Sequence, residues 1–288
     1  KRTDINYVVT HRFQQAVDGD AFDTDLPDDE KQGSVDTEYT VTVRSKTGFQ
    51  TPSPEPFTIN ADGSTHIYVD YYREMRTLGL GNTEFIETET PAGDYRYEYP
   101  ISLTAVARTG YDFLGWHNGT EIVSTNATYS FDLTENVTLE PRYQIQSFTV
   151  TVDKSDGSEP AEYTLDYGTS LADYLIGPEI VGYHVDRWTN NGQVVTGETI
   201  VEGPMTISAV LAANVYNVVY DANGGTGSMN RIEQMIYDEE YTLPANSFTR
   251  NGYTFAGWTG TELEAATENV TIESGSTGNR SYTATWSN

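Results

Sequence analysis

The pattern Gly-Tyr, four residues, Trp occurs three times in this 288-residue chain: Gly110-Tyr111 to Trp116, Gly182-Tyr183 to Trp188, and Gly252-Tyr253 to Trp258. The glycines are 72 and 70 residues apart. A fixed period of this size is the mark of tandem modules, and it rules out reading the chain as one large domain. Segments of roughly 70 residues lie near the lower limit for a hydrophobic core, so each needs a large plug and gains from its neighbours.

Module boundaries follow from the closing segments. Residues 138–143 (TLEPRY), 206–211 (TISAVL) and 281–286 (SYTATW) hold one position in the repeat. Openings match as well: residues 147–157 (SFTVTVDKSDG) align with 215–225 (VYNVVYDANGG). The division is therefore 1–73, 74–144, 145–213 and 214–288. No Pro- or Ser-rich linker separates the modules, which predicts a fairly stiff, elongated rod rather than beads on a string.

Within the modules strands dominate. Tyr39, Val41 and Val43 alternate with polar residues, as do Ile67, Val69 and Tyr71, then Phe148, Val150 and Val152, then Val218 and Tyr220. Period-two alternation of β-branched and aromatic residues is the half-buried strand pattern. Asn118-Gly119, Asn191-Gly192, Asn223-Gly224 and Asn251-Gly252 supply tight turns between them. One stretch reads as a helix: Thr169 or Ser170 caps residues 171–176, stopped by Gly177-Pro178. A weaker candidate lies at 229–235. The expected fold is mainly β, α+β in detail, with at most one short helix per module.

Composition narrows the function. The chain carries 43 Asp and Glu against 16 Lys and Arg, net −27, spread over all four modules. That skin keeps a protein soluble and argues against nucleic acid, which needs clustered basic residues. It also disfavours anionic lipid. There is no cysteine, which removes thiol catalysis and thiolate metal sites. No apolar run reaches the ~18 residues of a membrane span, so no membrane insertion is expected. Lys1 is followed by no apolar leader and no sorting signal closes the chain, so a piece of a longer protein is expected.

These residues resemble a known family. Residues 218–258, with VVYDANGGTG, YTLP and RNGYTFAGW, are similar to the Listeria–Bacteroides repeat, the internalin-type B-repeat. RTGYDFLGW at 108–116 resembles a divergent member. The third module keeps Trp188 but has Arg187 where the others have Gly115 and Gly257. The first module differs: INYVVTHRF (5–13), TGF (47–49) and INADGSTHIYVDYYR (59–73) resemble mucin-binding-type repeats of Gram-positive surface proteins. The resemblance implies tandem β-grasp-like modules, a place on the stalk of a cell-wall-anchored extracellular protein, and no catalytic residues or cofactors. It implies a monomer presenting a head. The alternative is that the modules are themselves adhesive, with a host glycan or surface protein as partner.

Candidate chemistry is sparse. Trp116, Trp188 and Trp258 hold one module position, and Trp286 takes the slot of Tyr143 and Leu211. These four are read as core plugs, since burying one indole contributes on the order of several kcal/mol. Stacking on sugar rings is the sharper alternative. Tyr95, Tyr97 and Tyr99 alternate with Arg96 and Glu98, placing three rings on one strand face. The densest acidic run contains Asp18, Asp20, Asp23 and Asp25, then Asp28, Asp29 and Glu30. It is a weak calcium candidate, because its spacing departs from the EF-hand pattern. His11, His66, His117 and His184 do not recur from module to module, and no nucleophile or phosphate-loop motif is present, so the chain is not read as an enzyme. The lysines, Lys1, Lys31, Lys46 and Lys154, do not sit mid-strand on apolar faces, so an internal isopeptide bond is not expected.

Overall fold

The computed structural model describes residues 2–24 and 26–288. It is nearly all β and divides into two compact units, 1–145 and 146–288. Four separate buried clusters draw on residues 5–71, 78–139, 148–211 and 216–286.

The three repeats share one sheet topology. In the last, the opening strand Val215–Asp221 pairs antiparallel with Ile232–Ile236 on one side and parallel with the closing strand Arg280–Ser287 on the other. The closing strand then pairs antiparallel with the tryptophan strand Thr254–Gly260, which carries Leu263–Thr267 at the edge. The preceding repeat uses Ser147–Asp153, Ala161–Asp166, Met205–Ala213, Tyr183–Asn190 and Gln193–Val195 in the same order. Its predecessor uses Met75–Leu80, Gly93–Arg96, Val137–Ile145, Tyr111–Asn118 and Glu121–Ser124. The first segment is a reduced version. Ile5–Gln14 pairs antiparallel with Asp29–Gly33 and parallel with His66–Tyr71. Its tryptophan strand has shrunk to one bridge, Phe49 to Arg73.

A parallel pair needs a crossover, and here the crossover carries a second layer. In residues 86–133 it is a three-stranded sheet of Ile86–Glu87, Tyr99–Ala105 and Thr128–Leu133. In the last repeat it is Tyr241–Thr242 against Thr271–Ile272. Ile101, Leu103 and Leu133 belong to the core of residues 78–139, and Leu243, Val270 and Ile272 to the last. The core thus lies between two sheets.

The helix predicted at 171–176 does not form. Only a single turn is present, with the Tyr174 N–H reaching the Leu171 carbonyl at 3.0 Å. The flanking backbone is committed elsewhere: Gly168 N–H donates to Val201 O, Leu171 N–H to Thr199 O and Val201 N–H to Thr169 O. This is the second layer of the third module, and it ties residues 168–171 to 199–201. The few residues left before Gly177-Pro178 are below the length at which a helix sustains itself. Residues 229–235 likewise form no helix; Ile232–Ile236 is a strand. Two strand predictions also change. Glu38–Tyr39 pairs briefly with Phe57–Thr58 and stops, so Val41 is buried without a ladder while the Arg44 N–H donates to the Tyr71 hydroxyl. The Tyr95–Tyr99 strip is broken at Glu98, which takes a left-handed φ of 63°. Tyr95 and Tyr99 remain paired at 4.8 Å, and Tyr97 leaves for the next contact surface.

The tryptophans reach the core through a bulge. Side chains alternate along a strand, so residues three apart, such as Phe113 and Trp116, fall on opposite faces. The register against the closing strand shifts between Phe113 and Gly115, between Val185 and Arg187, and between Phe255 and Gly257. The extra residue returns the indole to the face of its partner, and Phe255 meets Trp258 edge-on at 5.1 Å. At two bulges the edge strand crowds the backbone. A Cβ on Gly115 would sit 2.7 Å from Ser124 O, and one on Gly257 2.8 Å from Thr267 N, with φ of 144° and 118°. In the third repeat the edge strand is only Gln193–Val195 and pairs without a shift, and Arg187 is exposed. That relief explains how arginine replaces glycine there. Gly257→Ala is therefore expected to cost about 1–3 kcal/mol, whereas Arg187→Gly changes stability by under ~1 kcal/mol. Chemical denaturation of the two variants checks the contrast.

Candidate functional site

Trp116, Trp188 and Trp258 are buried, with exposures of 0%, 8% and 1%. The Trp116 indole donates to Ala127 O at 3.0 Å. Trp286 is half-buried against the last core and donates to Ala222 O at 3.0 Å.

The acidic run is dispersed into local bonds. The Asp18 carboxylate accepts from its own loop at Asp20 N–H, Asp23 accepts from Gln15, Asp28 from the Thr10 hydroxyl, and Asp29 from Arg44. Asp25 lies outside the described residues. Among the described residues no group of three acidic or imidazole side chains is placed to hold a metal.

The first segment carries the densest polar constellation. On the outward sheet face, the His66 and Tyr68 rings stack at 4.3 Å and the Arg12 guanidinium lies 4.5 Å from the Tyr68 ring and 5.5 Å from Phe22. Phe22 meets Tyr72 edge-on at 5.6 Å. Asp70 fixes Arg12 through two hydrogen bonds of 2.7 and 2.8 Å. Tyr68 and Tyr72 are half exposed. His66 and Arg12 thus lie against the Tyr68 ring, while Phe22 and Tyr72 meet edge to face. The ladder that Arg12, Phe22 and His66 build with Tyr68 and Tyr72 was not legible in the sequence, because Arg12, Phe22 and His66 come from three strands.

Beneath that face lies His11, with a fully buried side chain. Tyr71 accepts the Arg44 N–H and turns its hydroxyl proton to His11 Nδ1 at 2.8 Å. This assignment leaves the proton of neutral His11 on Nε2, which faces Asp29 at 3.5 Å. Burial, then Arg44, pulls the imidazole below its ordinary value, against the opposing pull of Asp29. With the folded value depressed, the unfolded chain takes the proton first. The contribution to stability is complete above ~pH 6.5 and is lost as pH falls below it. The melting temperature of the chain is expected to fall between pH 7 and 5 with a steeper slope than that of His11→Gln; parallel slopes would remove the assignment.

The last core holds two unsatisfied polar groups. The Tyr220 hydroxyl is buried without a hydrogen-bond partner among the described residues, and burial, with Tyr282 nearby, pushes it up to about 12. Arg280 fills the core slot that Met205 and Val137 hold in the other repeats, and it pairs with Glu262 while its Nε is unsatisfied. Tyr220→Phe is expected to raise stability by about 1 kcal/mol, because it removes an unpaired hydroxyl and keeps the ring beside Trp258. A loss in urea midpoint would contradict this.

The most regular constellation is a turn that each repeat carries just before its tryptophan strand. Phe49, Tyr111, Tyr183 and Tyr253 donate their N–H three residues back, to Lys46, Arg108, Ile180 and Arg250, at 3.0–3.2 Å. The glycines between, Gly48, Gly110, Gly182 and Gly252, have φ of 76–79°. This is a type II turn, which demands glycine at that position. Within each compact unit one such turn meets the next module. Glu74 N–H donates to Gly48 O at 2.8 Å, and Tyr97 N–H donates to Glu74 O at 2.8 Å. Asn214 repeats this with Gly182 O and Tyr237, at 2.7 and 3.0 Å. The Tyr97 and Tyr237 rings lie on the two glycines so closely that a Cβ would stand 2.2 and 2.4 Å from them. Side chains flank the clasp: Arg73 reaches Tyr97 O, and Tyr183 donates to Asp238 at 2.6 Å. The available sequence signal is a tyrosine 23 residues after each joint residue.

Comparison with known proteins agrees with this architecture. Residues 216–284 match the Listeria-Bacteroides repeat domain and residues 86–147 the divergent InlB B-repeat domain. The mucin-binding resemblance of residues 1–73 has no counterpart in these matches. Two proteins of Evansella cellulosilytica are similar. One, named "Putative membrane protein", is 28% identical over 56% of this chain and 26% of its own length. The other, "Putative Gly-rich membrane protein", is 24% identical over 71% of this chain and 23% of its own length. The chain thus spans about a quarter of these relatives. A solved structure, the Bacillus anthracis TIE protein, aligns over 72% of this chain and 50% of its own at 10% identity and a TM-score of 0.38, which carries no argument. Repeat families of this kind are generally non-catalytic and typical of surface proteins. No described helix is long and apolar enough to cross a membrane.

Proposed function

We propose that residues 1–288 are a non-catalytic spacer in the extracellular, cell-wall-anchored part of a larger surface protein, holding an adhesive or catalytic head away from the wall. The observation that supports this is the backbone clasp at the two joints within the compact units. A flexible tether has no use for a glycine turn fitted under a neighbour's ring, whereas a spacer gains stiffness from it. The modules 1–73, 74–144, 145–213 and 214–288 are its repeating units, and the even negative charge keeps it clear of anionic wall polymers and nucleic acid.

The second reading is adhesion, with a host glycan or surface protein bound by the first module. The half-exposed Tyr68 and Tyr72 favour it. The stacking of His66 and Arg12 on Tyr68 counts against it, because a sugar packs on the face of a ring. Two measurements separate the readings. Replacing residues 1–288 in the full-length protein with unrelated rigid modules of similar span is expected to preserve the head's activity at the cell surface, and shortening to reduce it. A glycan array probed with the segment is expected to be blank. Binding that is lost in Tyr68→Ala and Tyr72→Ala would instead establish the adhesive role, and a calcium-dependent melting shift would reopen the acidic run.

A further inference from the structure

We infer that the turn at Arg250–Tyr253 is a docking site for another β module of this same fold, one that presents an aromatic ring at the end of the strand paired with its opening strand. The inference holds for either reading of function, since it concerns how modules join and not what a head or surface binds.

Three observations carry it. First, the interface already exists twice in the chain, at Gly48 with Tyr97 and at Gly182 with Tyr237, and the two copies use the same three parts. These are a glycine carbonyl that accepts from the joint residue, a joint carbonyl that accepts from the arriving strand, and a ring laid on the glycine. Second, Gly252 is built to the same specification. Its φ is 78°, against 78° at Gly48 and 79° at Gly182, and Tyr253 N–H closes the turn on Arg250 O at 3.0 Å. Third, this copy is uncovered. A Cβ on Gly252 meets nothing within 4 Å, and Tyr253 is 42% exposed while Phe49 is buried at 6%. Arg250 already caps one side of the Tyr253 ring at 4.4 Å, as Lys46 caps Phe49 at 4.9 Å, so the turn is held in its receiving shape.

The partner's identity follows from what the site offers. Beside the Arg250 guanidinium, held on the Tyr253 ring, the turn offers a backbone carbonyl and a flat glycine surface. That suits an extended strand end carrying a planar ring better than a charged or branched group. The joint register is also fixed: Arg73, opposite Phe49, precedes Glu74, and Ala213, opposite Tyr183, precedes Asn214. Thr254 pairs with Ser287, which places Asn288 opposite Tyr253 and the joint position immediately after it.

The test extends the full chain by a second copy of residues 214–288 joined directly after Asn288, so that the added Asn214 takes the joint position. Hydroxyl-radical footprinting reads the exposure of Tyr253. Protection of Tyr253 by at least threefold relative to the unextended chain is expected. Tyr237→Ala in the added copy alone is expected to return Tyr253 to its original reactivity. Protection of the added copy's own tryptophan at position 258 verifies that the copy is folded. A parallel extension with a copy of residues 74–144, which carries Tyr97, keeps the test open if the first copy does not fold. A folded extension that leaves Tyr253 as reactive as before, or protection that survives Tyr237→Ala, would overturn the inference.

Discussion

The odd spacing between the apolar residue and the tryptophan of each repeat is the constraint on which the modules depend. A regular strand cannot place residues three apart on one face. The chain resolves this with one extra residue in the tryptophan strand, and the indole then enters a core closed by the second layer. The bulge also sets where glycine is obligatory. Gly115 and Gly257 are pressed by an edge strand that follows the bulge; the third repeat shortens that strand and tolerates Arg187. A departure from the family pattern thus marks a local change in the neighbour, and the core beneath it is kept.

The second constraint is the turn preceding that strand. One glycine serves two purposes: it supplies the left-handed conformation of a type II turn, and it leaves a flat surface on which a neighbouring ring can lie. The joints inside the two units are therefore made mainly of backbone hydrogen bonds and one aromatic contact. Arg73 adds to the first joint: its largely buried guanidinium donates to Tyr97 O and pairs with Glu98.

The ladder on the first segment shows why exposure alone is a poor sign of a binding face. Tyr68 is 52% exposed, yet His66 stacks on its ring and the Arg12 guanidinium lies over it. The guanidinium of Arg12 is both stacked and held by Asp70. In a chain of net charge −27 the described arginines are largely engaged by acids or rings in this way.

Periodicity in the sequence determined the number of repeats, their strand-rich character and the position of the buried indoles, because each is a consequence of local pattern: a 70-residue period, alternation by two, and one tryptophan per period. The lost helix, the broken Tyr95–Tyr99 strip and the rings laid on Gly48 and Gly182 were decided only by tertiary structure. Residues 169–171 have helical flanks but spend their backbone on 199–201, thirty residues away. Tyr97 reads as one more ring in an alternating strand until a left-handed Glu98 releases it to a different module. Local sequence reports which conformations a segment favours; which of them survives is set by the partner its hydrogen-bonding groups find at long range.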